Sequence, residues 1–395
     1  MAAKLQKLVA DKKDMVETVM EVFEQGAEVV ASMAGDLFPI FSLAAPLVKL
    51  ALDNVESKEA AFLTDQFKKV RERLEVASEQ LQRVNDEIKK SGADAAYFSV
   101  EENIGNQFRK YMDILGAKPK FRAVKRKTFL EHFVKSGGDK NLHTLYSAVT
   151  GDNFSGESVL AIALNYNEKS RRVMEEFCAR LKKLFCVGII ALMGFTSLKD
   201  SGGDEDEEEI LGEWREKMKD VQGKMHAVIE DCVVSFPQQA ETDCRRCVRD
   251  HSSEMTNQQL ADAVVDRLKS KYDWVYWSVR VFKTPTGVFA PKVFHCPTGK
   301  SRFRVSASDE KLNVMVSYSA SPEPVDKVRI QALIMSHKKS SSVVGVAEML
   351  FETLPGSSMV HTVKTSRDLA CTWSFSPELH YWDEHDKLSV CVHSA

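Results

Sequence analysis

A chain of 395 residues, 44% hydrophobic and 28% charged, exceeds the size at which a single hydrophobic core keeps growing, so two domains are the expectation. The same composition excludes wholesale disorder. A formal charge of −3 and a pI near 6.4 supply no global attraction for nucleic acid or anionic membranes, so any such binding needs a local patch.

Met1 to Asp14 interleaves Lys and Asp with apolar side chains, and without an uninterrupted apolar core it does not read as a secretory signal. The expected location is cytoplasmic or membrane-associated. Eight cysteines in so long a chain do not make a dense disulfide framework, and cytosolic thiols stay reduced.

In chain order, Val22 to Leu52 is apolar and rich in small residues, broken by Gly35, Pro39 and Pro46. It reads as two short apolar helices with a kinked turn. From Glu56 to Lys90 there is neither proline nor glycine, and Leu63, Phe67, Val70, Leu74, Ala77, Leu81, Val84 and Ile88 recur at alternating spacings of 4 and 3. This heptad seam predicts one helix of roughly 50 Å packed along another long helix, in an intramolecular bundle or in self-association or binding of a protein partner. Further helices are expected over Asp94 to Leu115, Gly156 to Leu198 and Glu205 to Ser235.

Lys118 to Lys127, KPKFRAVKRK, carries Lys118, Lys120, Arg122, Lys125, Arg126 and Lys127. Such density suits anionic headgroups, a solvated helix start, or pairing with an acidic loop. Phe121 alone interleaves the charges, so the stacking platform of single-strand binders is missing, and no nucleic acid is expected.

Leu184 to Leu198, LFCVGIIALMGFTSL, is uncharged and flanked by Lys182, Lys183 and Lys199. Spanning a hydrocarbon core takes about 20 residues, so this stretch is read as a buried core helix or, alternatively, as a membrane-active segment held inside the bundle. Under the second reading the membrane-contact candidates are Val29, Val30, Phe38, Ile40 and Phe41 in the first apolar region, and Leu184, Phe185, Ile189, Ile190, Leu192 and Phe195 in this one. The following run DSGGDEDEEE, Asp200 to Glu209, is expected to be a solvated loop between antiparallel helices, because clustered carboxylates cannot be buried unpaired.

Around Cys232 to Glu254 the helical pattern lapses. Cys244 and Cys247 form a CxxC with one nearby His251, too few ligands for a zinc site, and are read as a simple exposed or cross-linked pair. A short helix capped by Thr256 follows, to about Lys271. Beyond Tyr272 the pattern alternates, in YDWVYWSVRVFK, RFRVSAS, KLNVMVSYS, KVRIQALIM and the final DKLSVCVHSA. Period two with β-branched residues predicts strands, and seven of the eleven prolines fall here among turn signals, so the expected outcome is an antiparallel sandwich or barrel-like sheet. The fold class is therefore α+β: an elongated helical bundle over 1–235, a cysteine-containing linker and short helix over 236–271, and a β-rich domain over 272–395.

The ten histidines are scattered, and no nucleophile elbow, P-loop, zincin or dinucleotide motif appears. His380, Asp383, Glu384 and His385 in LHYWDEHDK are the nearest approach to a ligand set, in what reads as a turn. No enzyme, metal or cofactor is expected.

The strings LALDNVESKEAAFLTDQFKKVRERLEVASEQLQRVNDEIKKS and YFSVEENIGNQFRKYMDIL resemble the rapunzel family of bony fishes, over about Val22 to Leu115 and onward to about Ser235. Rapunzel proteins are similar in turn to cephalotoxin-like proteins. The resemblance implies a helical body in the style of α-helical pore-forming toxins, and hence a possible lipid-membrane partner. It carries over no catalytic residues, and the family's association with fin and bone growth defines no biochemical activity.

Overall fold

The computed structural model describes Lys7, Asp11 and residues 38–395, apart from 56, 76–77, 91–93, 152–156, 200–203, 252–253, 289, 308–310, 338–341, 356–357 and 386. The chain divides into two units, Met1–Val234 and Ser235–Ala395.

The first unit is helical. Its described helices are α1 (Phe38–Phe41), α2 (Ala44–Leu52), α3 (Lys58–Glu75), α4 (Glu79–Lys90), α5 (Asp94–Leu115), α6 (Pro119–Lys135), α7 (Lys140–Thr150), α8 (Val159–Tyr166), α9 (Arg171–Leu198) and α10 (Asp204–Val234). Leu63, Phe67, Val70, Leu81, Val84 and Ile88 of the heptad seam are all buried; Ala77 and the Leu74 side chain lie outside the described residues. The seam runs along two helices instead of one. Ser78 starts the second, its hydroxyl accepting from the Leu81 amide at 3.2 Å, which supplies an amide that a continuing helix would have bonded itself.

Two further expectations are corrected. Gly156 to Leu198 is interrupted after α8, where Glu168 and Lys169 take the left-handed conformation with φ of 49° and 58°. The backbone pays for that turn with non-glycine strain, and α9 begins after it. Asp204–Glu209 belongs to the first turns of α10, where carboxylates oppose the positive end of the helix dipole; within this run Glu207 also pairs with Lys49 of α2 at 3.3 Å.

The second unit has four layers. It comprises α11 (Phe236–His251), α12 (Asn257–Lys271), β1 (Tyr276–Lys283), β2 (His295–Thr298), β3 (Arg302–Ser306), β4 (Leu312–Ser319), α13 (Lys327–Ser336), α14 (Val343–Thr353), β5 (Ser358–Lys364), β6 (Ala370–Trp373), β7 (His380–His385) and β8 (Leu388–Ser394). The strands form two antiparallel sheets in the orders β3-β4-β1-β6 and β2-β5-β8-β7. Trp277, Val279 and Val281 of β1 join Phe236, Ala240, Leu260, Val264 and Leu268 in a core between the first sheet and α11 and α12. Val360, Leu388, Val390 and Val392 pack the second sheet on Ile330, Ile334, Val346 and Leu350 of α13 and α14.

The stretch 236–271 is thus built into the second unit and is no linker. The helical pattern does not lapse at the CxxC: Phe236, Ala240, Cys244, Cys247 and Val248 form the buried face of α11. Cys244 and Cys247 are buried free thiols, not a disulfide, acting as small apolar side chains; burial raises the pKa of both. KVRIQALIM is the helix α13, not a strand. Asp326 caps it by accepting from the Arg329 amide at 2.9 Å, and Ile330 and Ile334 bury one face. LHYWDEHDK supplies the strand β7, not a turn.

The inward faces of the two sheets meet in a polar seam. Arg280 Nη1 donates to Ser278 Oγ at 3.0 Å, Ser317 Oγ at 2.9 Å and Cys391 Sγ at 3.1 Å. Ser278 Oγ lies 3.0 Å from His380 Nε2. His393 Nδ1 faces the Ser394 carbonyl at 2.6 Å, so that nitrogen carries the proton and Ser317 donates to Nε2 at 2.7 Å. His361 is fully buried beside Phe282.

Burial pushes the pKa of His380 down to about 2 and of His393 to about 3, and lowers that of His361, with Arg280 adding to the effect in all three. Their folded values lie below the unfolded value near 6.5, so the unfolded chain binds more protons below that pH. Stability of this unit is expected to be full above about pH 6.5 and to fall by several kcal/mol by about pH 4.5. Denaturant unfolding followed by tryptophan fluorescence across this range checks it, and a flat profile would contradict the buried neutral histidines.

Candidate functional site

The apolar stretch of α9 is the centre of the first unit. Every residue from Leu184 to Gly194 is buried, so this stretch of the helix has no solvent face, the condition of a helix apolar all round. It packs against each of α1 to α8 and α10. Among the described residues it is the one helix long and apolar enough to cross a membrane by length and composition. Its 28 residues reach roughly 42 Å at 1.5 Å per residue.

Close packing depends on two glycines. A Cβ on Gly188 would lie 2.5 Å from Leu142 Cδ2, and one on Gly194 would lie 2.5 Å from the Tyr111 ring. Leu142 ends in a flexible methyl group. Tyr111 is held, because its hydroxyl donates to the Ala44 carbonyl of α2 at 2.8 Å and its ring meets Phe129 of α6 edge-on. Gly194 therefore fixes where α2, α5 and α6 close on α9.

The basic cluster forms the first turns of α6, with Pro119 at its start. It divides into two sets. Arg126 donates to the Leu198 carbonyl at 2.7 Å, and Arg122 donates to the Ala51 carbonyl at 2.6 Å and to Asn54 Oδ1 at 3.0 Å. Arg126 thus supplies a donor to a carbonyl at the C-terminal end of α9, and Arg122 adds one to the Ala51 carbonyl at the end of α2, which also accepts from the Asn54 amide at 3.1 Å. Lys125 pairs with Asp113 at 3.2 Å. Lys118, Lys120 and Lys127 are exposed, with the half-exposed Phe121 ring beneath the Lys120 ammonium and Val124 open to solvent.

Of the membrane-contact candidates, Val29, Val30 and the Phe38 side chain lie outside the described residues. Ile40, Phe41, Leu184, Phe185, Ile189, Ile190 and Leu192 are buried in the bundle core, and Phe195 is partly buried with its ring stacked on Phe133 at 4.3 Å. The structure thus gathers α9 and the described part of the first apolar segment, from Ile40 onward, around one core. The cooperating role of Arg122 and Arg126 escapes sequence reading, because a basic run does not reveal which of its members turn inward.

In β7, Asp383 and His385 approach to 3.7 Å, but His380 turns inward to the polar seam and stacks on Trp373. Among the described residues no group of three His, Cys, Asp or Glu side chains could hold a metal ion.

A family model for the cephalotoxin-like middle helical domain matches residues 54–254. Protein rapunzel of zebrafish (Danio rerio) is 35% identical over 226 residues, covering 57% of this chain and 97% of the relative. The chain belongs to the rapunzel family. These matches bear out the likeness to the rapunzel family and to cephalotoxin-like proteins and bring the helical domain with it. No solved structure matches the chain.

Gly194→Ala is expected to cost about 1–3 kcal/mol through overpacking against Tyr111, and Arg126→Met about 1.5–3 kcal/mol through loss of a charge-assisted hydrogen bond. Urea unfolding followed by far-UV circular dichroism measures both. An unshifted midpoint for Gly194→Ala would mean that the ring moves aside freely.

Proposed function

We propose that this rapunzel-family chain is a non-enzymatic, membrane-perturbing protein, with α9 and the apolar segment ending in α2 stored in the bundle until they transfer to lipid. The observation that carries this reading is the complete enclosure of an uncharged helical stretch. Eight of its large apolar side chains, Leu184, Phe185, Val187, Ile189, Ile190, Leu192, Met193 and Leu198, are buried. At about 2 kcal/mol each, exposing them to water costs roughly 16 kcal/mol, above the typical stability of a domain. Such a helix leaves the bundle only for another apolar phase.

The exposed side of α6 suits first contact. Lys118, Lys120 and Lys127 offer charge to anionic headgroups at about 1 kcal/mol each, while Phe121 and Val124 offer apolar contact at the same surface. Arg122 and Arg126 lie on the same helix and hold the ends of α2 and α9. Headgroups that compete for these guanidiniums would loosen both apolar segments together.

A second reading rests on the same burial: α9 as the permanent core of a soluble scaffold that binds protein partners through its bundle and its sandwich. Dye release from liposomes separates the two. Anionic vesicles are expected to leak and neutral ones to leak less. Lys120→Gln with Lys127→Gln, both at exposed positions, should weaken the anionic response roughly thirtyfold, from about 2 kcal/mol of lost attraction. Gly194→Ala should increase leakage by loosening the core. If no vesicle leaks with the native chain at neutral or acidic pH, and none leaks with Gly194→Ala, the scaffold reading stands.

A further inference from the structure

A guanidinium stays charged inside a protein, and burying it without a partner of opposite charge is costly. Arg280 is fully buried. Its Nη1 reaches two serine hydroxyls and the sulfur of Cys391, while its Nε and Nη2 have no hydrogen-bond partner. No carboxylate is among these partners. The sulfur 3.1 Å away is the contacting atom best able to carry negative charge, and a cation beside sulfur favours the charge that a thiol develops when it reacts.

A second thiol enters from the opposite sheet. Cys371, on the four-residue edge strand β6, lies directly across from Arg280 in the β1–β6 register. Directly paired residues share a face of the sheet, so Cys371 lies on the side that carries Arg280 and Ser278, and the Ser278 hydroxyl is itself 3.7 Å from Cys391 Sγ. Two cysteines from facing sheets therefore share the seam around one guanidinium. They differ in position, since Cys371 sits on the edge strand β6 and Cys391 on β8, inside its sheet.

We propose that Cys391 and Cys371 are a peroxide-reactive pair that closes a disulfide between the two sheets. Cys391 sulfur attacks one oxygen of hydrogen peroxide; the S–O bond forms, the O–O bond breaks, and the departing hydroxide takes the thiol proton as water. Cys371 sulfur then attacks the sulfenic sulfur, the S–S bond forms, and the sulfenic oxygen leaves as a second water. Peroxide is reduced and both thiols are oxidised. Burial and the neighbouring Cys391 raise the pKa of Cys371, which keeps it protonated and leaves the first attack to Cys391. Sheets stack about 10 Å apart, so closure draws the short edge strand β6 inward, and the same edge admits the peroxide when it opens locally.

The test uses the full chain with hydrogen peroxide. The native protein is expected to lose two hydrogens in intact mass, with a non-reducing peptide map joining Cys371 to Cys391. Cys371→Ser removes the second step and should leave Cys391 as a sulfenic acid, captured by dimedone. Cys296, partly exposed and outside this contact, serves as the internal control. Oxidation of Cys296 with Cys371 and Cys391 both left as thiols would overturn the proposal, as would a map joining Cys391 to any other cysteine. Should Cys371→Ser fail to fold, the native map decides alone.

Discussion

An uncharged helical stretch with apolar side chains on every side must be enclosed, and the enclosure of α9 organises the rest of the first unit. Every other described helix there touches it. The shorter helices α1, α2, α7 and α8 contribute apolar faces as caps and staves, while Lys182 of α9 is buried beside the apolar stretch. Glycines at 188 and 194 let neighbouring side chains lie against the α9 backbone. The arginines of α6 finish the arrangement by bonding carbonyls at the C-terminal ends of α2 and α9.

The second unit solves the opposite problem. Its two outer seams, helix on sheet, are apolar, whereas the central seam, sheet on sheet, joins a small apolar cluster of Phe282, Met315 and Val363 to a polar stretch of Arg280, serines, histidines and cysteine. Apolar seams supply most of the burial energy. A polar seam demands that donors and acceptors meet in one arrangement, and an imperfectly matched one is costly. Asp243 plays a related part between α11 and α12, where it is buried and accepts from Lys271 at 2.6 Å and Tyr272 at 2.7 Å.

Much of this architecture is legible in the sequence, because hydrophobic periodicity reports which side chains face inward. That is why the seam from Leu63 to Ile88 and the strands near 276–283, 302–306 and 312–319 can be read directly. Periodicity does not report whether the backbone ladder is continuous, so the restart at Ser78 and the turn at Glu168–Lys169, which lacks both glycine and proline, pass unseen. Alternation and helical spacing coincide in KVRIQALIM, where the Asp326 cap decides for a helix. Arg280 in YWSVRVFK reads as a solvent-facing strand residue only while one side of the sheet is assumed wet; in a four-layer unit both sides are covered. The CxxC misleads for the complementary reason, since its reactive-looking spacing also lies on one helical face.

The apolar face of α11 bears on how the chain can be divided. The family's helical domain continues to residue 254, but Phe236, Ala240, Cys244, Cys247 and Val248 are covered by α12 and the first sheet. A fragment ended at 254 would carry that face bare, an adhesive strip inviting aggregation, and would deprive the sandwich of an outer wall. Severing the chain after Val234 leaves each hydrophobic core with its own cover, so the border drawn by kinship and the border drawn by packing lie about one helix apart.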